Sequence, residues 1–397
     1  SGLDANQLVE VAIESNPQIH LMRAQWDAAN HQILQNYAPA DPVFTYSNVD
    51  AAHGLLDEAA SHSHQLSENF QFPGKAELQA QQARGTAKIA RFAYEAAIRD
   101  LRANVETGYY QILLDDALLD VNSQNIENLH EILKVSEIAY SASQVSQTDF
   151  ILAEVNLAQA EQQQRQYRVN KANDETNLNQ LLYRDADSPL NLDRSMRLTR
   201  LNLPLQTAVD MAYHARQEIL EAALTERNQN TALELAKMEY LPDYQVAYSY
   251  DQFLQSGAQP LANVTHGNTL SIGFNVPIFF WIHQNEDVKA AQYSLEAARS
   301  NLQLIRSQTA AAVTQLFRTT QFAYESAQLY KQSLIPLANQ DFRVGLIAYQ
   351  SSKIDFLTLS AALQASYTAQ TSYLQSANQF LAGRVALEQA IGAPLPQ

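Results

Sequence analysis

The chain has 397 residues, of which 46% are hydrophobic, and a formal net charge of −16. Such an acidic chain argues against nucleic acid as a partner, because phosphate binding requires a basic face. The chain contains no cysteine, which excludes disulfides, thiolate metal sites and a cysteine nucleophile. It has only 11 glycines and 12 prolines, so the composition predicts an ordered, mainly helical protein.

Contact with a membrane is not predicted to involve helices. No run approaches the roughly 18 apolar residues that a transmembrane helix needs, so any such contact must be made by strands or by an anchor. The chain starts with Ser1 and Gly2, which resemble a processed or engineered start. That start is compatible with a removed export signal and with an N-terminal lipid anchor on a cysteine lost with it.

Two helices in series are predicted at the front of each half of the chain. Residues 5–36 alternate apolar and polar groups at helical spacing, and Asn16 and Pro17 supply a cap and a first-turn residue for the second helix. Residues 205–238 repeat this pattern with a break near residues 214–217. Prolines mark the end of each helix pair.

Two strands are expected next in each half, within residues 43–72 and 243–276. Each strand alternates an apolar or aromatic face with a small polar face, which is the pattern of a barrel wall between lipid and water. The segment LSENFQFP at 66–73 resembles LSIGFNVP at 270–277, at a shift of 277 − 73 = 204 residues. The chain is therefore predicted to be a duplication, with residues 1–197 and 198–397 as two repeats of one integrated structure.

A long helical hairpin is predicted to complete each repeat, over residues 75–182 and 284–391. In the first hairpin, apolar residues recur every seven positions: Ile98, Val105, Ile112, Leu119, Ile126 and Leu133. In the second, they step by three and four alternately along a seam of 11 positions: Val288, Ala291, Leu295, Ala298, Leu302, Ile305, Thr309, Ala312, Leu316, Thr319 and Ala323. This period predicts left-handed coiled coils, with turns near residues 141–147 and 336–353.

Four amphipathic strands cannot close a barrel within one chain. Single-chain barrels begin at eight strands, and each unpaired backbone group in lipid costs several kcal/mol. Three subunits would pool twelve strands, so the sequence predicts an oligomeric barrel whose symmetry also assembles the helical hairpins into a tube. The alternative is a soluble helical scaffold or adaptor whose small sheet packs on a partner.

The order of helix pair, strand pair and long hairpin, present twice, resembles the TolC family of trimeric outer-membrane efflux ducts over essentially the whole chain. Phe72-Pro73-Gly74-Lys75 and the run AYQSSKIDFLTL at 348–359 resemble the branch that works with metal-ion exporting resistance-nodulation-division (RND) pumps. The family usually has glycine where this chain has Ser143 and Ser352.

The resemblance implies a mainly α fold with a transmembrane β-barrel, in which four strands per subunit are pooled and continue into a coiled-coil α-helical tunnel. It implies a homotrimer in the lipid of the bacterial outer membrane that extends into the periplasm, with a periplasmic adaptor and an inner-membrane RND pump as partners and no cofactor. The implied function is a passive exit duct for metal cations. A multidrug or type I secretion duct of the same fold is the alternative.

No nucleophile, base and oxyanion constellation is present, so catalysis is not predicted. The resemblance implies that acidic and hydrogen-bonding groups at the hairpin tips line or lock the closed inner end of the tube. Asp149 follows the first turn and Asp355 the second, although the family carboxylate usually stands where this chain has Thr358. Each aspartate could instead only cap the returning helix. The expected lock partners, with solvated side chains as the alternative, are Tyr349, Arg343 and Lys353.

Two further groups of side chains are candidates for interactions outside the gate. An aromatic cluster after the last strand is expected to anchor the membrane interface: Phe279, Phe280 and Trp281. Three histidines in or beside the loop that joins the first two strands include a His-x-His pair that could hold zinc or copper; they are His53, His62 and His64. The alternative for these histidines is a solvated loop with no ligand.

Overall fold

The computed structural model describes residues 2–49, 61–141, 146–195, 197–254 and 264–396. The strands are β1 (Val43–Val49), β2 (Ser61–Phe70), β3 (Tyr244–Leu254) and β4 (Val264–Phe274). The helices are α1 (Ala5–Ser15), α2 (Pro17–Tyr37), α3 (Lys75–Ser141), α4 (Gln147–Leu181), α5 (Leu205–Ala215), α6 (Gln217–Met238), α7 (Gln284–Leu329), α8 (Ile335–Gln350) and α9 (Phe356–Ile391). A π-helical turn, Tyr330–Leu334, separates α7 from α8.

Capping side chains fix where the two helices at the front of the chain begin and end. Asp4 and Gln7 form a capping box, in which each side chain accepts a hydrogen bond from the other's backbone N–H, at 2.8 and 3.0 Å. Asn16 ends α1, and its side-chain oxygen then accepts from the N–H of Gln18 in the first turn of α2 at 2.9 Å. The break predicted at Asn16 and Pro17 is therefore where the structure has it, because the asparagine satisfies orphan backbone groups of two helices.

The four strands form one antiparallel sheet in the order β1-β2-β3-β4. Tyr46 pairs with His64 between β1 and β2, and Tyr250 pairs with Asn268 between β3 and β4. The shift between these pairs is 250 − 46 = 268 − 64 = 204 residues, the same shift that relates the two sequence motifs. One face of the sheet carries exposed apolar side chains, namely Phe44, Leu66, Tyr248, Leu270, Ile272 and Phe274.

The chain divides into two compact units, Ser1–Met22 with Tyr94–Ile219 and Ile305–Gln397, and Arg23–Ala93 with Leu220–Leu304. The first unit contains the main hydrophobic clusters. One joins α1 to the first hairpin, through Leu8, Val9, Val105, Ile112 and Leu178. A second joins α5 to the second hairpin, through Ala208, Val209, Val313, Leu387 and Ile391. The second unit contains the sheet with α2, α6 and the adjoining ends of α3 and α7. In the part of the chain that is described, no helix is long and apolar enough to cross a membrane.

The buried stripe of α7 departs from the predicted seam along its length. Leu295, Ala298, Leu302, Thr309 and Ala323 are buried as predicted. Beyond Thr309, however, Val313, Thr320 and Ala327 are also buried, while the predicted seam residues Ala312 and Thr319 are exposed. A straight α-helix has 3.6 residues per turn, so it drifts by about 20° per heptad from a repeat of 3.5. The second seam position moves by one residue, from Ala312 to Val313 and from Thr319 to Thr320, in the direction of that drift, while Ala323 stays buried at the first.

The π-helical turn lies directly before a proline. The N–H of Ile335 bonds the carbonyl of Tyr330, five residues back, and Pro336 follows in the first turn of α8. Proline lacks an N–H, and in a regular helix its ring would clash with the carbonyl four residues earlier. The wider turn accommodates that ring and lets the two helices continue in series.

Candidate functional sites

The second hairpin turn, between α8 and α9, is closed by a backbone motif that favours glycine. The N–H of Lys353 bonds the carbonyl of Ala348 at 2.8 Å, and the N–H of Ser352 bonds that of Tyr349 at 2.9 Å. These two bonds form a Schellman motif. Ser352 has φ = 56°, which is the left-handed region that costs a non-glycine residue roughly 1–2 kcal/mol. The glycine that the family usually has here is therefore the residue that this geometry favours.

Tyr349, predicted as a lock partner, is buried inside the chain. It is 4% exposed, its hydroxyl lies 3.0 Å from that of Ser136 on α3, and its ring packs edge-on to Phe356 at 6.3 Å between centroids. These side chains lie in or beside a cluster that joins α3, α4, α8 and α9 near the turns. The structure thus places Tyr349 where it connects the two hairpins of one subunit, and its role as a lock stays a prediction.

Both predicted gate aspartates cap a helix. The carboxylate of Asp149 accepts from the N–H of Ser146, whose hydroxyl accepts from the N–H of Asp149, at 3.3 and 3.2 Å. Asp355 precedes α9, and its carboxylate accepts from the N–H of Thr358 at 2.9 Å. Hydrogen bonds from the side chain and the backbone of Thr358 hold the pKa of Asp355 below its usual value. Asp355 is therefore a charged, exposed carboxylate at the tip.

The cationic candidates at the second tip are not in contact with these carboxylates. Arg343 and Lys353 are exposed, and over the described ranges neither forms an ion pair within the chain. The structure therefore brings neither residue to Asp149 or Asp355. A gate contact between these groups would have to be made between subunits, and it stays a prediction.

Sequence analysis missed a row of buried polar side chains in the first hairpin. Asp115, Asn122 and Ser136 are all buried on α3. Each lies three residues after a position of the predicted apolar seam, so this is the second seam position of the same heptad. The Asn122 amide donates to the carbonyl of Ala160 at 2.9 Å and to the side chain of Gln164 at 2.8 Å. Counting both seam positions of each heptad would have found the row.

Asp115 is the ionisable side chain of this row, and its pKa is raised. It is 2% exposed, and one of its carboxylate oxygens has no hydrogen-bond partner. Burial, a hydrogen bond with Asp174 and the charges of Asp174 and Asp116 raise the pKa of Asp115 to about 7. Asp116 itself bonds Lys171 at 2.6 Å. The carboxyl of Asp115 thus lies near two further acidic side chains, and burial favours its protonated form.

Lys75, in the motif that resembles the metal branch, is buried at the junction of β2 and α3. It is 2% exposed, and its Nζ donates to Asp243 at 2.9 Å, to Glu239 at 3.2 Å and to the carbonyl of Leu241 at 3.3 Å. Asp243 also accepts from the N–H of Phe72 at 2.8 Å. Lys75 therefore links the end of one strand to the start of another through ion pairs of its buried ammonium with two partly exposed carboxylates, and Asp243 is a partner that sequence analysis missed.

The predicted aromatic anchor forms one exposed cluster after β4. Trp281 makes edge-on contacts with Phe279 and Phe280, with ring centroids at 5.9 and 5.3 Å. All three side chains are exposed. Such a cluster of exposed aromatic rings is suited to the polar–apolar boundary of a bilayer, and its place at that boundary stays a prediction.

Of the three candidate metal-binding histidines, His53 lies outside the described residues. His62 and His64 lie on the apolar face of β2, where both contact tyrosine rings. Across the described ranges, no group of three or more histidine, aspartate or glutamate side chains could hold a metal ion. The structure thus does not assemble a metal site around His62 and His64 from residues that it describes.

The chain contains long helical hairpins and an antiparallel sheet with an exposed apolar face, and this fold is found in outer-membrane channels of known structure. The fold is similar to that of CusC, with a TM-score of 0.83 and 14% identity, covering 99% of this chain and 93% of that one. It is also similar to the CmeC outer membrane channel of Campylobacter jejuni, with a TM-score of 0.81 and 17% identity, covering 99% and 86% of the two chains. The predicted fold class is confirmed.

The sequence matches are to outer membrane efflux proteins. Residues 8–182 match the family model described as outer membrane efflux protein. The chain is 22% identical over 411 residues to outer membrane protein TolC of Escherichia coli (strain K12), which covers 97% of this chain and 81% of that protein. Residues 8–182 thus carry the pattern of the outer membrane efflux proteins, and the similarity to TolC extends over the rest of the chain. The protein is a TolC-type efflux channel of the outer membrane that extends into the periplasm, and such channels are passive conduits and not enzymes.

Proposed function

We propose that three copies of this chain pool their strands into one twelve-stranded barrel, continued by the helical hairpins as a tunnel. The sheet carries this proposal. Within the described residues β1 and β4 are edge strands, each paired on one side only, and open edges are not tolerated in lipid. Because all neighbours in the sheet are antiparallel, β4 of one copy can pair in the antiparallel sense with β1 of the next.

The two repeats support this assembly. We propose that residues 1–197 and 198–397 arose by duplication, since the pairing registers of the two strand hairpins differ by the same 204 residues as the sequence motifs. Three subunits would then place six similar strand hairpins and six similar helical hairpins around one axis. A quasi-sixfold ring of this kind closes with similar contacts within and between subunits.

We propose that the substrate is a metal cation, delivered by an inner-membrane RND pump through a periplasmic adaptor. Two observations support a cationic substrate. The motifs around Lys75 and Tyr349 resemble those of the metal-exporting branch, and a trimer would carry three times the net charge of −16, which attracts cations electrostatically. Charged Asp355 and the half-buried Asp149 lie beside the two turns.

Mass measurement and electrical recording test the proposal separately. The particle in detergent should have the mass of three 44.3-kDa chains, and a monomer that is stable in buffer without detergent would overturn the barrel. In a planar bilayer under a salt gradient, the reversal potential should report preference for cations. An anion-selective trimer would keep the assembly and overturn the cationic substrate.

A further inference from the structure

Two tyrosine–histidine pairs lie on the apolar face of the sheet. The hydroxyl of Tyr46 lies 3.2 Å from Nδ1 of His62, and the hydroxyl of Tyr250 lies 2.8 Å from Nδ1 of His266. In both pairs the rings are stacked, with interplanar angles of 10° and 12°. The four side chains therefore make the same contact twice, on adjacent strands of each strand hairpin.

The two pairs are related by the internal repeat. The shift is 250 − 46 = 204 residues for the tyrosines and 266 − 62 = 204 for the histidines, which is the shift of the strand motifs. His64 lies between the pairs, with its ring centroid 5.1 Å from that of Tyr46 and 6.5 Å from that of Tyr250. Together these five side chains form a continuous row across all four strands, here called the Tyr–His belt.

The belt lies near one rim of the lipid-facing surface. It is on the same face as Leu66, Phe70 and Leu270, because all are separated by even numbers of residues from belt members on the same strand. From Phe70 at the helix end of β2, the strand rises roughly 27 Å to His62, at about 3.4 Å per residue. At a barrel tilt of about 35–45° this is about 20 Å in height, against an apolar band of about 25 Å.

The strand residues at this rim include one type of side chain that can become a cation, the imidazole of histidine. Within the four strands there is no lysine or arginine, so the three histidines are the groups there that can carry a positive charge. The two acidic side chains of the strands are set apart from the belt: Asp251 accepts from Ser63 on the opposite face, and Glu68 lies on the same face but four residues from His64 toward the helix end. Among the strand residues, the belt histidines are therefore the groups suited to bind a phosphate at this rim.

The tyrosines select the histidine tautomer that can donate a hydrogen bond to a phosphate. In a neutral imidazole, a tyrosine O–H that donates to Nδ1 leaves the proton on Nε2. Nε2–H is then a donor directed away from the tyrosine, and protonation of the ring makes that donor stronger. Since both pairs use Nδ1, both would present the same donor.

We propose that the Tyr–His belt binds the phosphate groups of lipids in the outer leaflet of the outer membrane. The proposal rests on the barrel proposed above, which turns the apolar face of the sheet toward lipid. His62 and His266 supply the Nε2–H donors, Tyr46 and Tyr250 hold their tautomer, and His64 links the two pairs. The trimer would then carry three belts, which together form a ring around one rim of the barrel.

Native mass spectrometry of the trimer in detergent tests this with two lipids, diphosphorylated lipid A and the same lipid after removal of its phosphates. The parent should retain the phosphorylated lipid preferentially. The double variant His62→Phe with His266→Phe keeps aromatic surface but removes the donors, and should bind it about tenfold more weakly. Tyr46→Phe with Tyr250→Phe should weaken binding less, because the imidazoles remain.

Tyr248→Phe is the matched control, since its hydroxyl lies on the same face but bonds Asn268 at 3.2 Å rather than a histidine. Its lipid retention should equal that of the parent. Equal retention by the histidine double variant, or no preference for phosphate in the parent, would overturn the belt as a lipid site. Zinc retained by the parent and lost with the histidines, without any effect of phosphate, would overturn it in favour of a metal site. The same spectra report oligomer mass, so failure of the barrel is recognised separately.

Discussion

The hydroxyl groups of Tyr349 and Ser136 lie 3.0 Å apart, and both side chains are buried. Tyr349 lies in the last turn of α8 and Ser136 lies on α3, so this one hydrogen bond connects the second helical hairpin to the first. A buried hydroxyl left without its partner costs roughly 1–3 kcal/mol. The two hairpins of a subunit are therefore coupled close to the turns, where the family resemblance locates the gate.

Removing either hydroxyl should destabilise this contact, and removing both should cost less than the sum. Tyr349→Phe and Ser136→Ala are each expected to lower stability by about 1–2 kcal/mol, with a coupling of about 1 kcal/mol in the double variant. Thermal unfolding of the four proteins in detergent measures the cycle. Strict additivity would show that the two hydroxyls do not interact.

Ser352→Gly should stabilise the protein, because glycine adopts the positive φ of this position without steric cost. The relief is partly offset by the greater freedom of glycine in the unfolded chain, so the net gain expected is about 0.5–1 kcal/mol. Ser351→Gly is the control, since Ser351 has φ = −93° and its hydroxyl bonds the carbonyl of Ile347 at 2.8 Å. If the two variants shift the unfolding midpoint equally, the left-handed geometry is not the cause.

The sequence predicts the elements that follow a local period, but it does not predict the contacts that depend on tertiary packing. The strand alternation and the heptads each depend on a local period, and they led to four strands and to long hairpins. The polar row at Asp115, Asn122 and Ser136 was missed because only one seam position of each heptad was counted. The drift of the α7 stripe at Val313 depends on how closely that helix follows a coiled-coil path, which a heptad pattern does not specify.

The candidate site residues likewise divide into those whose partners are local and those whose partners are distant in sequence. The capping roles of Asp149 and Asp355 were foreseen as alternatives, because an acidic residue at the start of a helix has local partners. The burial of Tyr349 and the partners of Lys75 were not foreseen, because the residues that they contact, Ser136 and Asp243, lie far from them in sequence. The hydrogen bond between Tyr46 and His62 depends on strand register, which the alternation within a single strand does not specify.

Asp115 should make stability depend on pH. Because its pKa is raised to about 7 in the folded protein, the protonated carboxyl stabilises the fold fully below the unfolded pKa of about 3.9. That stabilisation is lost as pH rises through 7. The unfolding midpoint should fall between pH 4 and pH 8 in the parent and change less in Asp115→Asn. Asp120→Asn, on the exposed side of α3, is the control and should follow the parent.

Lys75→Met should be among the most damaging substitutions in the unit that contains the sheet. It would remove the hydrogen bonds of the buried Lys75 ammonium to Asp243, Glu239 and the carbonyl of Leu241. Because the two carboxylates are 35% and 44% exposed, water would solvate them in part, and the expected cost is about 1–3 kcal/mol. Lys237→Met is the matched control, because its ion pair with Glu234 at 2.8 Å is exposed and such pairs contribute at most about 1 kcal/mol. The yield of trimer and its unfolding midpoint measure both variants. Similar behaviour of the two would show that the ion pairs of Lys75 do not hold the strand–helix junction.

The hairpin tips should form a closed aperture that prefers cations. Threefold symmetry would bring three copies of Asp149 and of Asp355 around one axis, and carboxylates gathered at a constriction repel one another. Closure then requires opposing cations or hydrogen bonds, and the exposed side chains of Arg343 and Lys353 are available for contacts between subunits. Substituting Arg343→Gln and Lys353→Gln should therefore raise the resting conductance in a planar bilayer.

The aspartates can be tested apart from their capping roles, because asparagine caps a helix about as well as aspartate. Asp149→Asn with Asp355→Asn should lower the cation-to-anion permeability ratio while the helices and the trimer remain intact. Glu10→Gln removes an exposed carboxylate from α1 and should leave the ratio unchanged. A parent channel that is already wide open, with conductance and selectivity unmoved by all four tip substitutions, would place the gate elsewhere or show that the channel has none. Loss of selectivity with unchanged resting conductance would instead locate the cation filter at the tips and the closing contacts deeper, near Tyr349 and Ser136.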